Sequence, residues 1–198
     1  MSLRVSYTLI APLYDAFVKA PLERARATSL ANLPTSPAGT VLLNGIGTGL
    51  DLPHLPEAHE YVGVDLTRAM LERATRARTA RRVRFVQGDA MNLPFPDASF
   101  DHAVLHLILA IVPDPGACLR ETARVVRSGG TVLVFDKFLR PGQQARLRRA
   151  LTPIVGAIAS RLDVVFEDVL AQVPGLQVES DQPGLAGGWF RLIRLRRA

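Results

Sequence analysis

The nine residues Val41-Leu42-Leu43-Asn44-Gly45-Ile46-Gly47-Thr48-Gly49 constrain this chain more than any other stretch. A short apolar run that breaks into glycines predicts a buried strand entering a tight turn. The next apolar run, Tyr61-Val62-Gly63-Val64, ends in Asp65, 20 residues after Gly45. Strand, glycine turn, short helical stretch and a second strand closed by a carboxylate is the layout of a nucleotide-cofactor site. There the turn's backbone cradles the ligand and the acid binds a ribose diol. The order is Gly-x-Gly-x-Gly, so the third glycine comes one residue earlier than in the dinucleotide fingerprint, where it packs helix on strand under a pyrophosphate. That order favours a ligand without a pyrophosphate. Taken alone, the glycine run also fits an ordinary tight turn.

The rest of the chain repeats the alternation. Val83-Arg84-Phe85-Val86 predicts a third strand ending toward Gly88-Asp89-Ala90, and Ser99 to His106 a fourth, leading to Val112-Pro113-Asp114-Pro115. Asp114 and Pro115 suit the N-cap and first position of a helix over 115–127 that stops near Ser128-Gly129-Gly130. Thr131 to Phe135 predicts a fifth strand, Leu176 to Ser180 a sixth and Gly188 to Leu195 a seventh. Short helices are expected over 142–160 and 163–172, and residues 4–32 read as helical with breaks at Pro12 and Pro21. Alternating elements give an α/β chain with a doubly wound, mostly parallel sheet. The acids after successive strands then share one rim of that sheet, where ligands bind in this architecture.

With these elements in order, the chain resembles a class I S-adenosylmethionine-dependent methyltransferase. The matching text is Val41 to Gly49, Asp65, Gly88-Asp89-Ala90, Asn92-Leu93-Pro94-Phe95, Ser99-Phe100-Asp101, Val112-Pro113-Asp114-Pro115 and Arg124 to Gly130. The resemblance implies a Rossmann-like seven-stranded sheet whose last strand is antiparallel, with N-terminal lid helices. It implies S-adenosylmethionine as cofactor and S-adenosylhomocysteine as product. Gly45, Ile46, Gly47 and Gly49 would line the methionine and ribose part. Asp65 would take the ribose hydroxyls, with Leu66 and Met70 against the adenine. Asp89 would accept from the adenine amino group, beside Ala90. Members of the family usually carry an acid where this chain has Asn44, which would help orient the cofactor's amino end. Asparagine keeps an acceptor and loses the charge. A non-catalytic cofactor-binding module is the reading that this departure supports.

Size and charge bound the rest. The chain has 198 residues, 48% of them hydrophobic, a net charge of +6 and one cysteine, Cys118; its mean hydropathy is +0.16. One domain over 1–198 is expected: lid helices to residue 36, a cofactor core over 37–136, and an insertion with the C-terminal strands over 137–198. No apolar run reaches membrane-spanning length and no secretory signal is legible, so a cytoplasmic protein is expected. A lone cysteine excludes an internal disulfide and a cysteine zinc cluster, and the histidines His54, His59 and His102 show no metal-site spacing. The seven arginines and one glutamate of residues 68–84 read as a solvated face.

Three regions bear on the methyl acceptor. Tyr7 and Tyr14 resemble the paired-tyrosine helix of small methyltransferases acting on quinones and phospholipids, where it lids the cofactor; they equally suit amphipathic packing. His106, at the predicted end of the fourth strand, suits a proton relay or an acceptor hydrogen bond, and equally a hydrogen-bonded structural role. No Asn/Asp-Pro-Pro-aromatic motif follows that strand, which argues against base methylation and a nucleic-acid partner. Lys137, Arg140, Arg146, Arg148 and Arg149 form a run of cations beside apolar Leu147, Leu151, Ile154, Val155 and Ile158. Cations beside an apolar stripe suit peripheral contact with an anionic membrane at the inner face, and equally a capping helix with solvated arginines. The chain's order of elements resembles short bacterial phospholipid N-methyltransferases. The leading expectation is N-methylation of a phosphatidylethanolamine-type head group, with Tyr7, Tyr14 and His106 as catalytic candidates. The alternative is C- or O-methylation of a quinone precursor or other small apolar acceptor.

Overall fold

The computed structural model describes residues 20–77, 82–140, 142 and 163–198. Helix α1 spans Ala20–Leu30, β1 Thr40–Asn44, β2 Glu60–Asp65, α2 Arg68–Arg76, β3 Val83–Gln87, β4 Phe100–His106, α3 Pro115–Val125, β5 Val126–Lys137, α4 Phe166–Leu170, β6 Leu176–Leu185 and β7 Phe190–Arg197. A turn of 3-10 helix, Leu52–His54, joins β1 to β2. The cap read from sequence forms: Asp114 accepts from the Ala117 amide at 2.9 Å, with Pro115 at the first helical position. Such a cap contributes about 1 kcal/mol.

The strands form one seven-stranded sheet in the order β3-β2-β1-β4-β5-β7-β6. Every pairing from β3 through β5 is parallel. Strand β7 runs antiparallel to both its neighbours, as the resemblance implied. Strand order reverses between β1 and β4, the place at which a crevice opens above the carboxyl ends of such a sheet.

Period-two alternation sends successive side chains to opposite faces. Leu42, Val62, Val64, Leu105, Val132 and Val134 pack against Cys118 and Leu119 of α3 and Phe166 and Val169 of α4. Val41, Leu43, Tyr61, Val104 and Leu133 pack on the other face with Leu30 and Leu33, from and just after α1, and Leu71 of α2. Burying each large side chain stabilises the fold by roughly 2 kcal/mol. On the outer face of α2 the arginines are exposed, as expected, and the Arg68–Glu72 pair there, at 3.1 Å, is solvated and worth little.

Element boundaries differ from the sequence reading where side chains do not set them. Helix α3 stops at Val125, and β5 begins there rather than at Thr131, passing through Gly129 at φ 77°. The structure has a register shift against β4 at this point. Strand β6 continues past Ser180 through Pro183 to Leu185. It tolerates the proline because it is the edge strand, with a neighbour on one side only. Of the two long helical expectations, only residues 20–32, helical over Ala20–Leu30, and Gly142 fall within the described residues.

Candidate active site

The glycine turn sits at the carboxyl end of β1, against β2. The amides of Gly45 and Ile46 both donate to Val64 O at 2.9 Å, folding the turn back over β2. Gly47 has φ +56°, and a Cβ built there would meet no atom within 4 Å. Its bare α-carbon therefore faces open space on the rim. Gly49, at φ +82°, is different. A Cβ there would lie 2.8 Å from Leu52 and 3.2 Å from the backbone of Ala74 in α2. The third glycine is a helix-packing residue, although it comes one position early.

Asp65, the last residue of β2, braces the turn. Its Oδ2 accepts from the Gly47 amide at 3.0 Å, and its Oδ1 accepts from the Thr67 amide and hydroxyl at 2.9 and 3.0 Å. Oδ2 keeps a lone pair for a further donor such as a hydroxyl. Leu66 and Met70, 64% and 38% exposed, follow on the same rim. After β3, Asp89 uses Oδ1 to accept from the Met91 amide at 2.8 Å and leaves Oδ2 without a partner among the described residues. Ala90, beside it, is buried and small. Above β4, Leu107 adopts φ +58° and opens a loop whose Ile108 fills the space beside Gly45. Ile111 stands half exposed in that loop.

Besides Gly49, which packs on a helix instead of lining the ligand space, three predicted residues lie elsewhere than expected. Ile46 is buried and turns its side chain onto Gly63 in the core, so only its backbone borders the rim. Asn44 is 1% exposed and lies beneath the rim on the α3 face. Its Nδ2 donates to Thr122 Oγ1 at 3.1 Å and approaches Ala90 O at 3.4 Å, while its Oδ1 has no partner among the described residues. An acid at this buried place would face a carbonyl oxygen and a hydroxyl, with no cation among those contacts; an amide suits it better.

The third is His106, and here the sequence expectation is corrected. Its side chain is fully buried. Nδ1 lies 2.7 Å from Asp51 Oδ1 and Nε2 2.9 Å from Ser29 Oγ. As the last β4 residue on the α1 face, it points beneath helix α1 rather than toward an acceptor. Tyr7 and Tyr14, and Arg146, Arg148 and Arg149, lie outside the described residues. His59 and His102 are packing residues: the Gly39 and Thr131 amides each donate to their Nδ1 at 3.1 Å. Among the described residues no cluster of three or more potential metal ligands occurs, and no helix is long and apolar enough to cross a membrane.

Two acids escaped the sequence reading. Asp51 follows the glycine turn, and its meaning emerges only with α1 packed on it. Asp136, next to last in β5 and 1% exposed, accepts from the amides of Ala110 at 3.0 Å and Lys137 at 2.8 Å. Burial pushes its carboxyl up to about 6, against the amides that hold it. The signal was an acid closing the apolar run Val132-Leu133-Val134-Phe135, which reads equally as a strand running out to solvent.

This rim can hold a nucleoside. A backbone open at Gly47 allows close approach; two carboxylates in fixed frames offer acceptors for a diol and an exocyclic amine; exposed Leu66 and Met70 suit a flat ring. Comparison with known proteins points the same way. A family model described as "Methyltransferase domain" matches residues 42–134. The chain is 33% identical over 190 residues to the phosphatidylethanolamine N-methyltransferase of Cereibacter sphaeroides, covering 93% of each chain. It is 33% identical to the demethylmenaquinone methyltransferase of Mycolicibacterium paratuberculosis, covering 86% of this chain and 76% of that one. Its fold matches a methyltransferase structure from Thermotoga maritima with a TM-score of 0.66 and 22% identity, over 97% of this chain and 98% of the other.

Proposed function

This chain belongs to the class I S-adenosylmethionine-dependent methyltransferase family, and from that premise we propose that it N-methylates the amine of a phosphatidylethanolamine-type head group. One observation carries the reading. The alignment to the Cereibacter sphaeroides enzyme runs over 93% of both chains, well beyond the 42–134 core that the family shares. In this fold the core binds cofactor and the parts around it select the acceptor.

S-adenosylmethionine supplies a methyl group that is already strongly electrophilic. The work left to the protein is to hold the cofactor, align a neutral amine and exclude water. Asp65 would hold the ribose hydroxyls through the lone pair left on Oδ2, and Asp89 the adenine amine through its open oxygen. Gly47 lets the backbone meet the ligand with no side chain between. Asp136 would fix the loop after β4 through the Ala110 amide, and Ile108 in that loop in turn packs on Gly45. No step is assigned to His106, which is committed to Asp51 and Ser29. Lys137, the last residue of β5, and exposed Arg140 beyond it stand on the rim side and supply positive charge toward an anionic head group or membrane surface.

Demethylmenaquinone-type acceptors are the second reading, favoured by the 86% of this chain that aligns with the Mycolicibacterium paratuberculosis enzyme. One experiment separates the two. The protein is given methyl-labelled S-adenosylmethionine with either phosphatidylethanolamine vesicles containing an anionic lipid or a demethylmenaquinone, and products are resolved chromatographically. Label in mono- or dimethylated phospholipid supports the proposal. Label confined to the quinone sinks it in favour of the second reading.

A further inference from the structure

Three elements around the cofactor rim meet at one buried carboxylate. Asp51 lies two residues beyond Gly49 and is 5% exposed. Arg26 Nη1 donates to its Oδ1 at 2.7 Å, and His106 Nδ1 lies 2.7 Å from the same oxygen. The other imidazole nitrogen reaches Ser29 Oγ at 2.9 Å. Arg26 and Ser29 are one helical turn apart on α1, and both are buried. His106 closes β4 and immediately precedes Leu107, which opens the loop that packs on Gly45. On its own side, the Asp51 segment finishes the glycine turn: the Leu52 amide donates to Gly49 O at 3.1 Å and the His54 amide to Asp51 O at 3.0 Å. Burial works to raise the Asp51 carboxyl, but His106 and Arg26 outweigh it and hold it far below the usual carboxylate range.

Stability alone does not call for such a cluster. Desolvating two charges costs several kcal/mol, and well-packed apolar groups of similar volume often do as well or better. What a buried, paired charge does supply is registry: α1, the glycine turn and the end of β4 meet at one oxygen, Asp51 Oδ1, and so are held in one relative placement. We propose that Asp51 is a positioning residue that couples the docking of helix α1 to the shape of the glycine turn, so that cofactor binding and α1 docking strengthen one another. Coupling of this kind is reciprocal. A cofactor that needs the braced turn tightens α1, and a docked α1 pre-organises the turn for the cofactor.

The test removes the charges in a balanced way. The double variant Arg26→Met with Asp51→Asn removes both members of the Arg26–Asp51 ion pair together and keeps an acceptor for His106. Two quantities are read on full-length protein: the S-adenosylhomocysteine Kd by calorimetry, and amide hydrogen exchange of residues 20–30 with and without saturating S-adenosylhomocysteine. In the wild type the ligand slows exchange of those amides about tenfold, the scale of an ordinary coupling. In the double variant that slowing vanishes and Kd rises by a similar factor, while the melting temperature stays within a few degrees. Ligand-dependent slowing that persists in the double variant, or an unchanged Kd, overturns the proposal, as does a wild type whose α1 exchange ignores the ligand. Should the double variant fail to fold, Ser29→Ala, which removes one hydrogen bond and no charge, carries the same readout. A reduced ligand effect on α1 then supports the coupling and an undiminished one refutes it.

Discussion

Alanine at Gly47 and at Gly49 should separate binding from stability. Both residues have positive φ, at +56° and +82°, and a side chain in that region costs about 1–2 kcal/mol. Gly47→Ala meets no other atom, so backbone strain is its whole structural cost. For a chain of this size that lowers Tm by roughly 2–8 °C. The new methyl group nevertheless stands in the open space beside the turn, where the ligand would lie. A crowded contact costs about 1–3 kcal/mol, which raises the S-adenosylhomocysteine Kd about 5- to 150-fold. Gly49→Ala adds to the strain a Cβ 2.8 Å from Leu52 and 3.2 Å from the Ala74 backbone. Its total cost is about 2–5 kcal/mol of stability. Calorimetric titration and thermal melting of both variants check this. A Gly47→Ala protein that binds S-adenosylhomocysteine as tightly as the wild type would refute the assignment of that space to the cofactor, whatever its Tm.

Further predictions follow from the buried polar groups. Asp136 is raised to about 6 by burial, so its folded form binds a proton more tightly than the unfolded chain does. Stability is therefore highest below pH 4 for this group and is lost as pH rises through 6, by about 3 kcal/mol. Denaturant unfolding of wild type against non-titrating Asp136→Asn should show that difference growing between pH 4 and 7; a flat difference contradicts it. Cys118, buried and with its thiol pushed up to about 12 chiefly by burial, should resist a disulfide reagent in the native protein and react at once in denaturant. Asn44→Asp introduces a charge against Ala90 O and Thr122 Oγ1 with no cation among its contacts. It should lower Tm without ligand by an amount that cofactor, whose methionine end is cationic, partly restores; equal Tm losses with and without cofactor would count against any electrostatic reach from residue 44.

Much of the fold was legible because it rests on period and punctuation. Apolar runs of strand length separated by glycine, proline and aspartate fixed all seven strands to within a few residues. The cap at Asp114 followed from a local rule that packing did not override. Boundaries failed where backbone pairing alone decides them, as in β5 running back through Gly129 and β6 running on through Pro183. The placement of Gly47, Asp65 and Asp89 on one rim was legible in the same way, since they take their places from strand ends. His106 was misread because a histidine at a strand end has two faces to choose from, and only the docking of α1 shows which is covered. Asp51 and Arg26, 25 residues apart, carry no local pattern that announces a pair. Gly49 shows a subtler limit: the spacing fixed that a glycine was needed, and only the position of Ala74 shows that a helix requires it.

The most direct measurement of the site is a crystal structure with S-adenosylhomocysteine bound. The assignment predicts the ribose hydroxyls on the Asp65 carboxylate, the adenine amino group on Asp89 and the ligand against the bare α-carbon of Gly47, with Asp51 still joined to Arg26 and His106. A ligand bound away from the ends of β1, β2 and β3, or a complex in which Asp65 touches no ribose hydroxyl, would contradict it.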